Sequence, residues 1–136
     1  MLHILDVMKT TVITVEKGTP IMTAVEKLVV HNISGLPVVD DSHRVVGILS
    51  EKDVLALAVR THDGSYDFGD TDLKVEDFMT KDVVTVDAHD SFISLCSCLT
   101  KNQFRRVPVV TDGKLVGIVS RRDIIASTMR ICVWQS

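Results

Sequence analysis

Hydrophobic residues follow two different periods in the first part of the chain. The β-branched run Val12–Val15 predicts a short strand. Apolar residues then recur three and four positions apart over Ile21–Val29, which predicts a helix that buries one face. Thr19 is the expected N-cap of this helix and Pro20 its first residue, because the fixed φ of proline suits the first helical turn.

A hairpin and a second helix are predicted to follow. Two apolar runs, Leu36–Val39 and Val45–Leu49, flank the polar turn Asp40–His43, which is typical of two antiparallel strands. Ser50 then opens a helix that we expect to run to about Val59, because Ser-x-x-Asp is close to a capping box. The predicted order is therefore strand, helix, strand, strand, helix.

The same order occurs a second time. Asp77–Met79 repeats Asp6–Met8 at an offset of 79 − 8 = 71, and the second hairpin follows at the same offset. The second hairpin turn is one residue shorter, so that Gly117 matches Gly47 at 117 − 47 = 70. Only two copies of this long period are present, which favours an internal duplication over an open array.

The duplication predicts the domain organisation. Repeat 1 with its lead-in covers 1–59, a linker covers 60–74, and repeat 2 with a C-terminal tail covers 75–136. Each half is too small to bury its own sheet. We therefore expect an α/β fold in which the two halves pack with approximate two-fold symmetry.

Composition narrows the classes of function. The net charge is −3 and no block of five like charges occurs, so neither nucleic acid nor a membrane surface is an expected partner. Three cysteines and the lack of a secretory signal pattern indicate reduced thiols in the cytoplasm. The five histidines show no metal-ligand spacing, and no nucleophile–base arrangement is visible. We expect neither a metal site nor an enzyme.

The candidate chemistry lies in two related stretches, Gly117–Asp123 and Gly47–Asp53. A helix N-terminus presents unpaired N–H groups that suit a phosphate. The aspartate can accept hydrogen bonds from a ribose diol, and the serine can donate one to a phosphate oxygen. The same residues also make an ordinary helix cap that needs no ligand, which is the purely structural alternative.

These features together identify a family resemblance. The duplicated order of Asp-x-Met, strand, helix, a hydrophobic-Pro-Val-Val strand and Gly-x-x-Ser-x-x-Asp resembles a tandem pair of CBS domains, a Bateman module. The resemblance covers about residues 6–59 and 77–129. It implies two β-α-β-β-α repeats and a non-enzymatic, energy-sensing regulatory role. The implied ligands contain adenosine: AMP, ADP, ATP or S-adenosylmethionine. No other cofactor is implied, and a homodimer and an unidentified regulated protein are the implied partners.

The resemblance also implies two ligand clefts, each pairing strands of one repeat with the Ser-x-x-Asp turn of the other. Cleft A is expected to be lined by Thr11, Val12, Ile13, Gly35, Leu36, Pro37, Ser120, Arg121, Arg122 and Asp123. Cleft B is expected to be lined by Asp82, Val83, Val84, Arg105, Arg106, Val107, Pro108, Ser50, Lys52 and Asp53.

The two clefts are expected to differ in their affinity for phosphate. Arg121 and Arg122 belong to cleft A, and guanidinium groups match phosphate oxygens well. Cleft B carries Glu51 and Lys52 at the same positions. We therefore expect cleft A to favour the more highly phosphorylated ligand.

The residue before the Pro-containing strand complicates this ranking. Gly35 leaves room for a base in cleft A, whereas Arg106 fills or reshapes cleft B. Arg105 and Arg106 either contact phosphates or are solvated arginines near a helix end.

A ligand-free dimerisation or interaction module remains the competing interpretation of the whole chain. In that case the two Ser-x-x-Asp turns serve only as helix caps. Met8 and Met79 are expected to pack in the core or the clefts. Trp134 is expected to cover a dimer surface.

Overall fold

The structure is a computed structural model that describes residues 2–65, 67, 72–102 and 105–135, with side chains to Arg130. Part of the predicted linker and the side chain of Trp134 therefore lie outside the described residues.

The predicted order of elements is confirmed. In the described part of the chain the helices are α1 (Ile4–Val7), α2 (Ile21–Val30), α3 (Glu51–His62), α4 (Phe92–Lys101) and α5 (Arg121–Gln135), with a 3₁₀ helix at Val75–Asp77. The strands are β1 (Val15–Glu16), β2 (Gly35–Val39), β3 (Val45–Ser50), β4 (Val86–Asp87), β5 (Arg106–Thr111) and β6 (Lys114–Ser120). They form two three-stranded sheets, β1-β2-β3 and β4-β5-β6, and the fold is α/β. In each sheet the first pair of strands is parallel and the second antiparallel.

The chain folds into two compact units, and each unit combines the body of one repeat with the lead-in segment of the other repeat. Unit 1 consists of Met1–Val12 and Val84–Ser136, and unit 2 of Ile13–Val83. Unit 1 thus joins the lead-in of the first repeat to the body of the second. Unit 2 joins the body of the first repeat to the lead-in of the second. The predicted repeat limits describe the duplication and do not coincide with these units.

The core of unit 1 shows how the first lead-in is held. Ile4 and Val7 of α1 are buried together with Leu95 and Leu99 of α4. The remaining members of this cluster are residues of the sheet and its approach: Val86, Ala88, Val107, Val109 and Val119. Full burial of one such side chain stabilises by about 1.5–3 kcal/mol, so α1 adds substantially to this unit.

Unit 2 has an equivalent core. Ile21, Ala24 and Leu28 of α2 are buried, as the helical spacing predicts, and they pack with strand residues and with Val75 of the 3₁₀ helix. The buried face of α2 is narrower than predicted, because Val29 is 74% exposed.

Two local predictions were wrong. β1 begins at Val15 rather than Val12, because its parallel pairing with β2 includes only two residues and the chain passes from unit 1 to unit 2 just before it. The N-cap of α2 is Pro20 rather than Thr19. The Thr19 hydroxyl donates to the Glu16 carbonyl oxygen at 2.6 Å instead of capping the helix.

Candidate functional site

Each glycine of the Gly-x-x-Ser-x-x-Asp stretch packs against the methionine of a lead-in. A Cβ atom on Gly117 would lie 2.7 Å from Met8 Sδ, and one on Gly47 would lie 2.8 Å from Met79 Cγ. Real Cβ atoms do not approach this closely, so a side chain at either glycine would require the methionine to move. Met8 and Met79 are partly buried against the cores of their units, and their predicted packing role is confirmed.

The residue after each methionine is fixed to the strand that leads into the turn. In unit 1 the Lys9 N–H donates to the Ile118 carbonyl at 2.8 Å, and the Ile118 N–H donates back at 2.9 Å. In unit 2 Thr80 and Ile48 exchange the same pair of hydrogen bonds, at 2.8 and 2.9 Å. These short antiparallel bridges hold residues 9 and 80 beside the two turns.

Both turns are complete capping boxes. The Asp53 N–H donates to Ser50 Oγ at 3.4 Å, and the Ser50 N–H donates to Asp53 Oδ2 at 2.9 Å. In unit 1 the Asp123 N–H donates to Ser120 Oγ at 3.1 Å, and the Ser120 N–H donates to Asp123 Oδ2 at 3.0 Å. The structural role of these residues is thus present, and it leaves one carboxylate oxygen of each aspartate outside the reciprocal cap.

Ser50→Ala and Ser120→Ala should each lower the free energy of unfolding by about 1 kcal/mol, because each removes one N-cap acceptor. Urea denaturation followed by circular dichroism measures this loss. Ser42→Ala, at an exposed hairpin position, is the control and should change stability little. Cap variants as stable as the wild type would contradict the assigned role.

The remaining carboxylate oxygens have different environments. In unit 2 the Thr80 hydroxyl donates to Asp53 Oδ1 at 3.1 Å, and the Ser50 hydroxyl donates to Oδ2 at 3.0 Å. In unit 1 Asp123 Oδ1 lies 3.5 Å from the Lys9 ammonium. Within the described residues the Ser120 hydroxyl donates to no acceptor. The Asp53 turn is therefore internally satisfied, whereas the Asp123 turn keeps a free hydroxyl donor and an oxygen whose partner is an exposed lysine.

Lys9 and Thr80 were absent from the residues predicted to line a site. The available signal was their equivalence, since both follow the methionine of the repeated Asp-x-Met and 80 − 9 = 71. Lys9 and Thr80 are far in sequence from Asp123 and Asp53, so no local pattern indicates that they are in contact.

Arg121 has a different role from the predicted one. Its Nη2 donates to the carbonyl oxygens of Leu99 and Asn102, both at 2.9 Å, and so ties the end of α4 to the start of α5. The phosphate argument for this turn therefore depends on Arg122, which is exposed at the next position of α5.

Strand register places Arg106 next to the Asp123 turn within unit 1. Arg106 pairs with Ser120, as Gly35 pairs with Ser50 in unit 2. Facing residues of paired strands project on the same side of a sheet. The Nε of Arg106 is buried and has no hydrogen-bond partner among the described residues. A buried guanidinium N–H without an acceptor is unfavourable, and an anion would relieve that cost.

Two predicted cleft residues belong to the cores instead. Leu36 and Val107 are each 1% exposed and pack among the buried side chains of their units. Because side chains alternate along a strand, only the backbone of these residues can reach the opposite face, to which Pro37 and Pro108 belong.

Gly35, Pro37 and Pro108 are also buried, whereas the remaining predicted cleft residues are more accessible. Ile13 packs partly against the core of unit 2. Half-buried positions are Val12 and Val83, and exposed positions are Thr11, Asp82, Val84, Arg105 and Lys52.

Other chemistry in the described residues is sparse. No group of three or more His, Cys, Asp or Glu side chains there could hold a metal ion. None of the helices described is long and apolar enough to cross a membrane. Cys96 and Cys98 are half-buried free thiols, and burial raises the pKa of Cys96.

Known proteins have sequences similar to this chain. CBSX2 of Arabidopsis thaliana, a CBS domain-containing protein, is 31% identical over 139 residues, covering 86% of this chain and 58% of CBSX2. Inosine-5'-monophosphate dehydrogenase of Methanocaldococcus jannaschii is 35% identical over 115 residues, covering 84% of this chain and 21% of the enzyme. The chain thus spans little more than half of CBSX2 and about a fifth of the dehydrogenase.

Solved structures agree in fold. A crystal structure of CBSX2 in complex with AMP matches with a TM-score of 0.81 and 31% identity, covering 96% of this chain and 98% of that one. The CBS domain pair of protein MJ0100, solved with 5'-methylthioadenosine and S-adenosyl-L-methionine, matches with a TM-score of 0.74 and 28% identity, covering 94% and 96%. The CBS domain model matches residues 4–60 and 75–129. This chain therefore belongs to the CBS domain family and carries two CBS repeats.

Proposed function

We propose that this chain is a regulatory module that binds an adenosine-containing ligand at the Asp123 turn of unit 1. The observation that carries the proposal is the free capacity of this turn. Ser120 retains an unused hydroxyl donor, and Asp123 Oδ1 has only an exposed lysine as partner within the described residues. The ligands of CBSX2 and of the MJ0100 pair, which all contain adenosine, support this class of ligand.

The chemistry of the turn suits a nucleotide. Asp123 Oδ1 would accept hydrogen bonds from the ribose hydroxyls, as acidic residues do in dinucleotide-binding folds. The Ser120 hydroxyl, the Arg122 guanidinium and the first turn of α5 would hold phosphate oxygens. The residues predicted to complete cleft A, Thr11–Ile13 and Gly35–Pro37, remain a prediction.

The Asp53 turn is proposed as the weaker site. A ligand there would have to replace the hydrogen bonds from Thr80 and Ser50 to the Asp53 carboxylate. Each such replacement cancels part of what the ligand gains. The occupied Asp53 carboxylate is thus a second reason, besides Arg122, to expect tighter ligand binding at the cleft A turn.

Titration calorimetry with AMP, ADP, ATP and S-adenosylmethionine tests the proposal directly. We expect at least one of them to bind and to raise the melting temperature, since a ligand at 100 times its Kd stabilises by about 2.7 kcal/mol. No heat and no thermal shift at millimolar ligand would overturn the proposal for this class.

We further propose that the module works as a homodimer and passes its ligand state to a regulated protein. α3 exposes Leu55 and Val59, at 68% and 67%, and α5 exposes the equivalent Ile125 and Met129, at 59% and 63%. Residues four apart share one face of a helix. Such repeated exposed apolar pairs favour association with another copy.

Leu55→Glu combined with Ile125→Glu should shift the chain toward the monomer, because buried charge opposes association. Sedimentation velocity over a concentration series measures the change. Ala126→Glu is the control, since it adds one charge at an exposed position of the same helix next to Ile125. A wild-type chain that is monomeric at all concentrations would contradict the dimer.

A ligand-free interaction module is the second candidate, and the complete capping boxes of both turns favour it. It predicts that changes at the turns alter stability and no ligand affinity. For either candidate we propose that the chain is not an enzyme. We also propose that it lies in the cytoplasm, which the free thiols of Cys96 and Cys98 support.

A further inference from the structure

Lys9 and Thr80 hold equivalent places beside the two turns but differ in charge. Both are fixed by a pair of backbone hydrogen bonds to the strand that precedes the turn. Thr80 offers a neutral hydroxyl that donates to Asp53 at 3.1 Å. Lys9 offers an ammonium group 3.5 Å from Asp123. Among the described residues, the duplication has therefore produced one turn with a counter-ion and one turn with a neutral hydroxyl in its place.

The Lys9–Asp123 pair is easy to separate. The Lys9 side chain is 70% exposed, whereas that of Asp123 is 17% exposed. Ion pairs with so exposed a partner add little to stability, because water screens them and the long side chain loses freedom. The ammonium lies on a flexible four-carbon stem, whereas the backbone of Lys9 is held in place. Lys9 can thus leave Asp123 without disturbing the turn.

The ligand that binds at Asp123 determines whether the displaced Lys9 ammonium finds a new anionic partner. A neutral nucleoside that takes Asp123 Oδ1 displaces the ammonium and offers it no replacement. A ligand that also carries a phosphate supplies a new anionic partner next to the turn. The displaced charge then favours the phosphorylated ligand over the nucleoside.

Resting on the proposed function, we infer that Lys9 is a specificity-determining residue of unit 1. It neutralises Asp123 in the free protein and moves to the ligand phosphate in the bound one. The Asp53 turn, with Thr80 in the same place, lacks this selection by charge.

The test compares the Kd values of adenosine, AMP and ATP for the full chain and its variants. Lys9→Thr installs the residue that the second repeat has at this position, so the backbone bridge should form normally. We expect it to reduce the preference for AMP over adenosine by up to about fivefold, which corresponds to the free energy of an exposed ion pair. Lys9→Arg should keep the preference. Lys114→Thr, at an exposed strand position of the same unit, should leave it unchanged.

Each outcome separates the two proposals. A wild-type chain that binds none of the three would overturn this inference, and it would overturn the proposed function as well if ADP and S-adenosylmethionine also fail to bind. Binding in which Lys9→Thr changes adenosine and AMP affinity by the same factor would overturn the inference alone. Lys9→Gln serves as a second neutral variant if melting curves show that Lys9→Thr is unfolded.

Discussion

Gly117→Ala is expected to lower the free energy of unfolding by about 1–3 kcal/mol, the usual cost of overpacking a filled site. The new Cβ would lie 2.7 Å from Met8 Sδ and 2.9 Å from the Lys9 carbonyl oxygen. The methionine can rotate, but the carbonyl is held by the Ile118 N–H at 2.9 Å. Chemical denaturation of the full chain measures the loss.

The matched change in unit 2 provides the control. The three atoms nearest to a Cβ on Gly47 all belong to the Met79 side chain. Met79→Ala should therefore restore much of the stability lost in Gly47→Ala, whereas Met8→Ala should only partly rescue Gly117→Ala. Equal recovery of stability in the two units would show that the Lys9 carbonyl does not contribute to the cost of Gly117→Ala.

Asp123→Asn is expected to weaken adenosine-ligand binding by tenfold or more, since hydrogen bonds to a charged group contribute about 1.5–3 kcal/mol. Stability should fall less than affinity, because the asparagine carbonyl can still accept from the Ser120 N–H and the backbone N–H of residue 123 can still donate to Ser120 Oγ. Calorimetry with the best-bound nucleotide, together with melting curves, measures both quantities.

Asp53→Asn is the paired control for this change. It alters an equivalent cap whose carboxylate is already occupied by Ser50 and Thr80, and we expect a smaller effect on total ligand binding. If both variants lose stability and neither changes ligand affinity, the turns serve only as helix caps and the proposed location of the ligand site is wrong.

Local features were predictable from the sequence. The helix caps at Ser50 and Ser120 involve residues three apart, so spacing alone revealed them. The hairpins followed from short apolar runs around polar turns, and the duplication followed from constant offsets. Errors arose where a neighbouring strand limited an element, as at β1, which has only two paired residues.

The site required information that no local pattern holds. The alternation along β2 and β5 assigns Leu36 and Val107 to the cores, although both lie in the same short motif as the predicted cleft residues. The guanidinium of Arg121 finds its carbonyl acceptors 19 and 22 positions away, at the end of α4. A charged residue in a motif can therefore serve the scaffold instead of a ligand.

The amino-acid pattern alone predicted two CBS repeats, their order of elements and the pair of Ser-x-x-Asp turns, because these depend on contacts between near neighbours and on a repeated pattern. Only the tertiary structure assigned each lead-in to the unit that holds the other repeat's turn. That assignment places Met8 over Gly117 and Lys9 beside Asp123, more than a hundred residues apart in sequence. The path of the chain creates these contacts, and with them the difference between two turns that look almost alike in sequence.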